Sequence, residues 1–178
     1  MGALATVLTA WLGYRALARR KRKFRLFLSI QMNDLTEEEY SAIQKEVLEV
    51  FEFAKELANI DDIYYFNRNY PTKSEFDKAD FRIGHYMREL RRCDYFIAIF
   101  LRRVHSSIYA EAGYAIAEKK KCFFYTRRGE NILPTVLAGA VDIYEHVKAL
   151  EFDDIGEVAR KLKGFLPNIG NGRLEGEG

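Results

Sequence analysis

Apolar residues after the first 23 positions follow two alternating patterns. Short, nearly continuous apolar runs are typical of β-strands, and Asp94–Leu101 has the uninterrupted character of a strand buried on both faces. The stretches between these runs repeat apolar residues every three or four positions, which predicts amphipathic helices. The predicted strands are Phe24–Met32, Ile63–Asn67, Asp94–Leu101, Lys121–Thr126 and Val147–Phe152.

Residues that cap helices mark the predicted helix starts. Thr36 is followed three positions later by Glu39, which is the arrangement of a capping box. Ser74, Ser107 and Asp153 are the other predicted start residues. Alternating strands and helices imply parallel strands joined by right-handed crossovers. The expected fold class is therefore α/β, an open, doubly wound, flavodoxin-like, mainly parallel sheet of about five strands.

The chain divides into three predicted segments. Residues 24–167 form the α/β domain, and residues 168–178 form a Gly-rich tail that we expect to be disordered. Residues 1–23 combine an apolar run with the basic sequence ARRKRK, which predicts an N-terminal membrane-anchor helix with the domain on the cytoplasmic side. The alternatives are a basic helix lying on the membrane surface, a myristoylated MGALAT start, and an accident of the chosen start site.

Composition and charge narrow the classes of function. A hydrophobic content of 48% excludes a disordered chain. Seven of the 28 basic residues lie within residues 1–25, where no acidic residue occurs, so the remainder carries 21 basic and 26 acidic residues. This mildly acidic body argues against direct nucleic-acid binding. Cys93 and Cys122 lie in or beside apolar runs, without a metal-binding partner at ligand spacing, and are interpreted as reduced core thiols.

The carboxyl ends of the predicted strands indicate where a ligand binds. In doubly wound sheets these ends share one edge, and the ligand site lies there. Ser29, Gln31 and Met32 end the first strand, and Arg102 follows the third. We expect all four to contact substrate, with Arg102 directed at a phosphate. Core or edge packing explains Ser29, Gln31 and Met32 equally well, and a solvated basic turn is the alternative for Arg102. No metal or cofactor site is predicted.

Glu111 is the candidate catalytic residue in the helix that follows. Helical spacing places Ile108, Ala112, Ala115 and Ile116 on one apolar stripe, with Glu111 at its border. A partly desolvated carboxylate there is a better base or nucleophile than a hydrated one, and the amino end of the helix favours its anion. A solvated surface glutamate is the alternative interpretation.

The stretch HSSIYAEAGYAIAEKKK resembles the nucleoside 2-deoxyribosyltransferase family, whose signature contains E-x-G-x-A-x-A. Glu111, Gly113, Ala115 and Ala117 match that pattern, and Ser106 stands where the family has a serine. The resemblance implies that Glu111 attacks C1′ of a nucleoside to form a glycosyl-enzyme. His105 occupies the position of a family aspartate, so the resemblance favours glycosidic cleavage over transfer between two free bases.

A second resemblance, to TIR domains, covers more of the chain. The succession ELRRCDYFIAIFL, a Ser-bearing loop, Glu111, an aromatic strand and ILPTVLAG is similar to theirs. It implies cleavage of the nicotinamide–ribose bond of NAD by Glu111. Ser107 stands where these domains often have tryptophan. Ser106 and Ser107, with the free N–H groups of the helix start, would bind an anion beside His105.

The leading hypothesis is therefore an N-glycosidase or deoxyribosyltransferase-like enzyme that acts on a nucleoside or nucleotide through Glu111. A TIR-type NAD hydrolase is the first alternative, with NAD as substrate rather than cofactor. The second is a non-catalytic module at the membrane that binds a nucleotide or associates with itself. Both resemblances imply a homo-oligomer.

Overall fold

The computed structural model describes residues 23–32, 34–57, 59–78, 83–102 and 107–165. Their strands form one parallel five-stranded sheet in the order β2-β1-β3-β4-β5, which confirms the predicted α/β flavodoxin-like architecture. The strands are β1 (Phe24–Ile30), β2 (Ile60–Tyr65), β3 (Tyr95–Phe100), β4 (Lys121–Arg127) and β5 (Val147–Phe152).

Helices cover both faces of the sheet. On one face Val47 and Val158, from the first and last helices, share a buried cluster with the inner strands. On the other face Leu90 and Ala112 belong to a second cluster. The helices are α1 (Glu37–Lys55), α2 (Lys73–Lys78), α3 (Ile83–Arg92), α4 (Ser107–Ala117), α5 (Thr135–Ile143) and α6 (Ile155–Phe165), and Phe66–Asn69 forms a 3₁₀ turn.

Strand β2 differs from its prediction because it lies at the edge of the sheet. It begins at Ile60, three residues before the predicted start, and ends at Tyr65. Asp61 and Asp62 in its first half are exposed, and they form ion pairs with Lys23 and Arg25. An edge strand tolerates such charges, which hides its first half from a search for apolar runs.

The single helix predicted from Ser74 is wrong in its start. Thr72 caps α2, since its Oγ1 accepts a hydrogen bond from the Glu75 backbone at 3.2 Å. The Glu75 side chain accepts in return from the Thr72 backbone at 3.3 Å, which completes a capping box. Helix α3 is described from Ile83 onward, and residues 79–82 lie outside the described part of the chain.

Helix α5 was not predicted from the sequence. Its Leu137 and Ala140 are buried, but Val136 and Ile143 are 82% and 73% exposed. Apolar residues therefore surround the helix, and no apolar stripe reveals its period.

The capping box predicted at Thr36 is confirmed, with the Glu39 backbone donating to Thr36 Oγ1 at 3.2 Å.

The predictions for residues 1–22, including the membrane anchor, and for the tail from residue 168 onward lie outside the described residues. Within the described ranges, none of the helices combines the length and the apolar character needed to cross a bilayer.

Asp154 caps α6, and the prediction of Asp153 was wrong. Asp154 Oδ1 accepts from the Glu157 backbone at 2.9 Å, whereas Asp153 pairs through its carboxylate with Arg128.

We expect Asp154→Ala to lower the free energy of unfolding by about 1 kcal/mol, because a helix N–H loses its acceptor. Asp153→Ala should lower it less, since an exposed ion pair contributes little. Urea unfolding of both variants measures this, and a larger loss in Asp153→Ala would contradict the assignment.

Candidate active site

The boundary between β1 and β3 is the switch point of the sheet, where successive connections turn to opposite sides. Gln31, just after β1, is 1% exposed, and its side chain links the ends of β1 and β3. Its Oε1 accepts hydrogen bonds from the backbone N–H groups of Leu101 and Arg102 at 3.3 and 3.2 Å. Gln31 thus fixes the start of the segment that leads from β3 into α4.

Small side chains let α4 approach the sheet at this boundary. Ser29 in β1 pairs with Ala98 in β3, which stands between the large residues Phe96 and Phe100 on the same face. Ala98 and Ala112 of α4 have no exposed surface and belong to one buried cluster. The residue that precedes Ala112 in α4 reaches across to β1 at this position.

That residue is Glu111, which is buried with 6% of its surface exposed. The Ser29 hydroxyl donates a hydrogen bond of 2.6 Å to Glu111 Oε2. The hydroxyl of Ser107, one turn earlier in α4, also hydrogen-bonds the carboxylate. Among the described residues, no cation lies within ion-pair distance of Glu111. In the described part of the chain, hydroxyl groups rather than a cation therefore hold the carboxylate.

Burial raises the pKa of Glu111 above the ordinary glutamate value, and the hydrogen bonds from Ser29 and Ser107 oppose that rise. The sequence placed Glu111 at the rim of the apolar stripe and in the first helical turn. In the structure it is buried, and the first turn of α4 contains no acidic residue. The sequence suggested that the helix amino end stabilises the Glu111 anion. In the structure, hydrogen bonds from two hydroxyl groups stabilise it instead.

Four aromatic rings stand beside this carboxylate on the same face of the sheet, and we call Phe27, Tyr64, Phe66 and Tyr86 the aromatic wall. Phe27 lies two residues before Ser29 and stacks on Tyr64 of β2 with centroids 4.9 Å apart. Tyr86 of α3 contacts Phe66 at 4.6 Å and Tyr64 at 6.2 Å. The wall therefore joins β1, β2 and α3.

The charge of Glu111 acts on two tyrosines of the aromatic wall, Tyr64 and Tyr86. Burial, together with the carboxylates of Glu89 and Glu111, raises the pKa of Tyr64 to about 12. Burial and the charge of Glu111 also raise the pKa of Tyr86. Both phenols therefore stay protonated at neutral pH.

The structure brings only some of the predicted site residues to Glu111. Ser29 and Ser107 touch it, and Gln31 organises the adjoining loop. Met32 is fully buried in the core cluster on the opposite face. Arg102 donates to Glu39 at 3.1 Å and to the Asp34 carbonyl at 3.4 Å. His105 and Ser106 lie outside the described residues, so their contacts with substrate stay predictions.

Sequence reasoning missed the aromatic wall. Tyr64 and Phe66 lie in an aromatic run at the end of β2, and Tyr86 lies in a helix about twenty residues later. No spacing rule links an edge strand to that helix. The available signal was the density of aromatic rings in IYYFN. Aromatic residues are also typical of an ordinary packed β-strand, so this density alone does not indicate a site.

Two further sequence interpretations concern thiols and metals. Cys93 and Cys122 are free and buried, as predicted, and burial raises the pKa of each to about 12. In the part of the chain that the structure describes, His, Cys, Asp and Glu do not gather into a group of three or more that could hold a metal ion.

Comparisons with known proteins support the fold and leave the family open. Neither a protein-family model nor a curated protein sequence matches the chain. Among solved structures it is similar to the CMP N-glycosidase BcmB of Clostridium botulinum, with a TM-score of 0.54 and 19% sequence identity. The match covers 79% of this chain and 98% of that one. At this identity the likeness establishes a shared parallel α/β fold.

Because burial raises the pKa of Glu111, we expect the free energy of unfolding to depend on pH. The folded protein holds the Glu111 proton more tightly than the unfolded chain does. Wild-type stability therefore falls as the pH rises from the ordinary glutamate value through the raised folded value. Glu111→Gln should be the more stable protein at pH 8, with an advantage that shrinks toward pH 4. Urea midpoints across this range test it, and an advantage independent of pH would contradict it.

Proposed function

We propose that this protein cleaves the N-glycosidic bond of a nucleoside or nucleotide, with Glu111 as the nucleophile. The observation that carries the proposal is the buried carboxylate at the switch point, without a cation partner among the described residues and held by Ser29 at 2.6 Å. A carboxylate buried without a cation is costly to the fold, and functional sites are where such costs concentrate.

The proposed reaction proceeds in two steps. The Glu111 carboxylate attacks the anomeric carbon as the bond to the base nitrogen breaks, so that nitrogen takes the bonding electron pair and a glycosyl ester forms. Water then attacks the same carbon, the ester bond to Glu111 breaks, and the proton lost by water is balanced by the one the base gains. The hydroxyl of Ser29 keeps one carboxylate oxygen oriented throughout.

Two lines of support come from outside the site itself. The sequence around Glu111 resembles that of deoxyribosyltransferases, and the CMP N-glycosidase of Clostridium botulinum has a similar fold. Under this proposal, Ser106 and Ser107 bind the sugar or phosphate at the start of α4, with His105 beside them. Arg102 would need to exchange its ion pair with Glu39 for a substrate phosphate.

Glu111→Gln should abolish base release while the fold is retained, because the amide keeps the shape of the side chain and loses the nucleophile. We expect a decrease of roughly a thousandfold or more. The assay is chromatographic detection of free base from a panel of nucleosides, nucleoside 5′-monophosphates and NAD.

Glu118→Gln is the matched control, since Glu118 follows α4 and reaches Arg91 at 3.7 Å on the surface. It should retain wild-type turnover. Base release by Glu111→Gln at the wild-type rate would refute the proposal. Release of nicotinamide from NAD alone would instead favour the TIR-type hydrolase, and nucleotide binding without turnover would favour the non-catalytic module.

Ser29→Ala should impair catalysis by disturbing the ionisation and orientation of Glu111. Its hydrogen bond lowers the pKa of Glu111, so its loss should move the acidic limb of the kcat/KM profile to higher pH. At the optimum we expect about a tenfold lower kcat. Ser41→Ala changes an exposed serine on α1 and serves as the control. An unshifted acidic limb in Ser29→Ala would show that Ser29 does not position the nucleophile.

A further inference from the structure

One polar atom in the aromatic wall has no hydrogen-bond partner. The Tyr64 hydroxyl is shielded from solvent, and none of the described residues accepts or donates a hydrogen bond to it. An unsatisfied buried hydroxyl costs roughly 1–3 kcal/mol and calls for an explanation. Tyr64 is anchored by its ring instead, through stacking on Phe27 and edge contacts with Tyr86 and His85.

We propose that the aromatic wall is the subsite for the leaving base, and that the Tyr64 hydroxyl donates a hydrogen bond to that base. The proposal rests on the proposed function, since it names the part of the site that receives the departing group. In this proposal Tyr64 contacts the substrate directly. Phe27, Phe66 and Tyr86 form the packing around Tyr64.

The position of the wall suits a planar, weakly polar group. Phe27 and Ser29 project from the same face of β1, so the wall begins next to the strand position that holds Glu111. Rings from β2 and α3 extend it away from the sheet switch point. A nucleobase has an aromatic face for stacking and polar atoms on its edge, and stacking of this kind is worth about 1–3 kcal/mol per base.

The chemistry of the leaving group explains why a phenol is useful there. As the glycosidic bond breaks, its electron pair passes to the base and increases the negative charge on the polar atoms at the edge of a neutral base. A hydrogen bond from the Tyr64 hydroxyl to such an atom becomes stronger in the transition state than in the ground state. The carboxylate of Glu89, which also acts on Tyr64, is already paired with Arg92 at 2.9 Å.

Tyr64→Phe removes this hydroxyl and preserves the ring. Tyr125→Phe is the matched control, because Tyr125 also has a buried hydroxyl without a partner among the described residues but belongs to the cluster on the opposite face. Neither change removes a hydrogen bond seen in the structure. Both variants should therefore fold and keep the wild-type melting temperature or exceed it.

The kinetic test compares two kinds of leaving group. For the 5′-monophosphates of cytidine, uridine, adenosine and guanosine, we expect Tyr64→Phe to lower kcat about tenfold on the best substrate. For nicotinamide mononucleotide the loss should be smaller, because its positively charged base leaves as a neutral molecule. Tyr125→Phe should match the wild type on every substrate. Equal kcat values in Tyr64→Phe and Tyr125→Phe, on a substrate that wild type cleaves, would overturn the proposal.

A binding experiment separates this proposal from the proposed function. Each tyrosine change is combined with Glu111→Gln, and affinity for the same monophosphates and for their free bases is measured by calorimetry. Weaker binding by the Tyr64→Phe double variant alone supports the base subsite, even if wild type releases no base and the proposed function fails. Equal affinities in both double variants, or no binding by either, would overturn the subsite.

Discussion

The hydrogen bond between Ser29 and Glu111 is the constraint on which the site depends. It joins β1 to α4 across 82 residues of sequence at a distance of 2.6 Å, beside the small buried residues Ala98 and Ala112. A buried carboxylate without a cation among the described residues is expensive, and the two hydroxyl groups offset only part of that cost. The fold thus holds a destabilising carboxylate at the carboxyl edge of the sheet.

The described surroundings of Glu111 are built from strands and helices. Gln31 links the end of β1 to Leu101 and Arg102, which follow β3. The aromatic wall is anchored on β1, β2 and α3 by mutual ring contacts. Under the proposed function, such preorganisation favours the nucleophile, since its position is set before substrate arrives.

The likeness to a CMP N-glycosidase at 19% identity concerns the scaffold. A parallel doubly wound sheet supports many chemistries, so the side chains at its carboxyl edge decide which one this chain performs. Among the described residues those side chains include a carboxylate without a cation partner, two hydroxyl groups and a wall of rings. Under the proposed function, the carboxylate attacks an anomeric carbon and the wall receives the planar base.

The sequence by itself determined the order of the five strands, the capping box at Thr36 and the place of Glu111 at the carboxyl edge of the sheet, because these follow from local periodicity and from parallel topology. It could not determine the caps at Thr72 and Asp154, since neighbouring residues offered equally good oxygen atoms, nor α5, whose apolar surface has no stripe. The burial of Glu111 and the aromatic wall belong to the tertiary structure. Both depend on which residues of distant strands face one another, and register between strands is set by packing of the whole sheet.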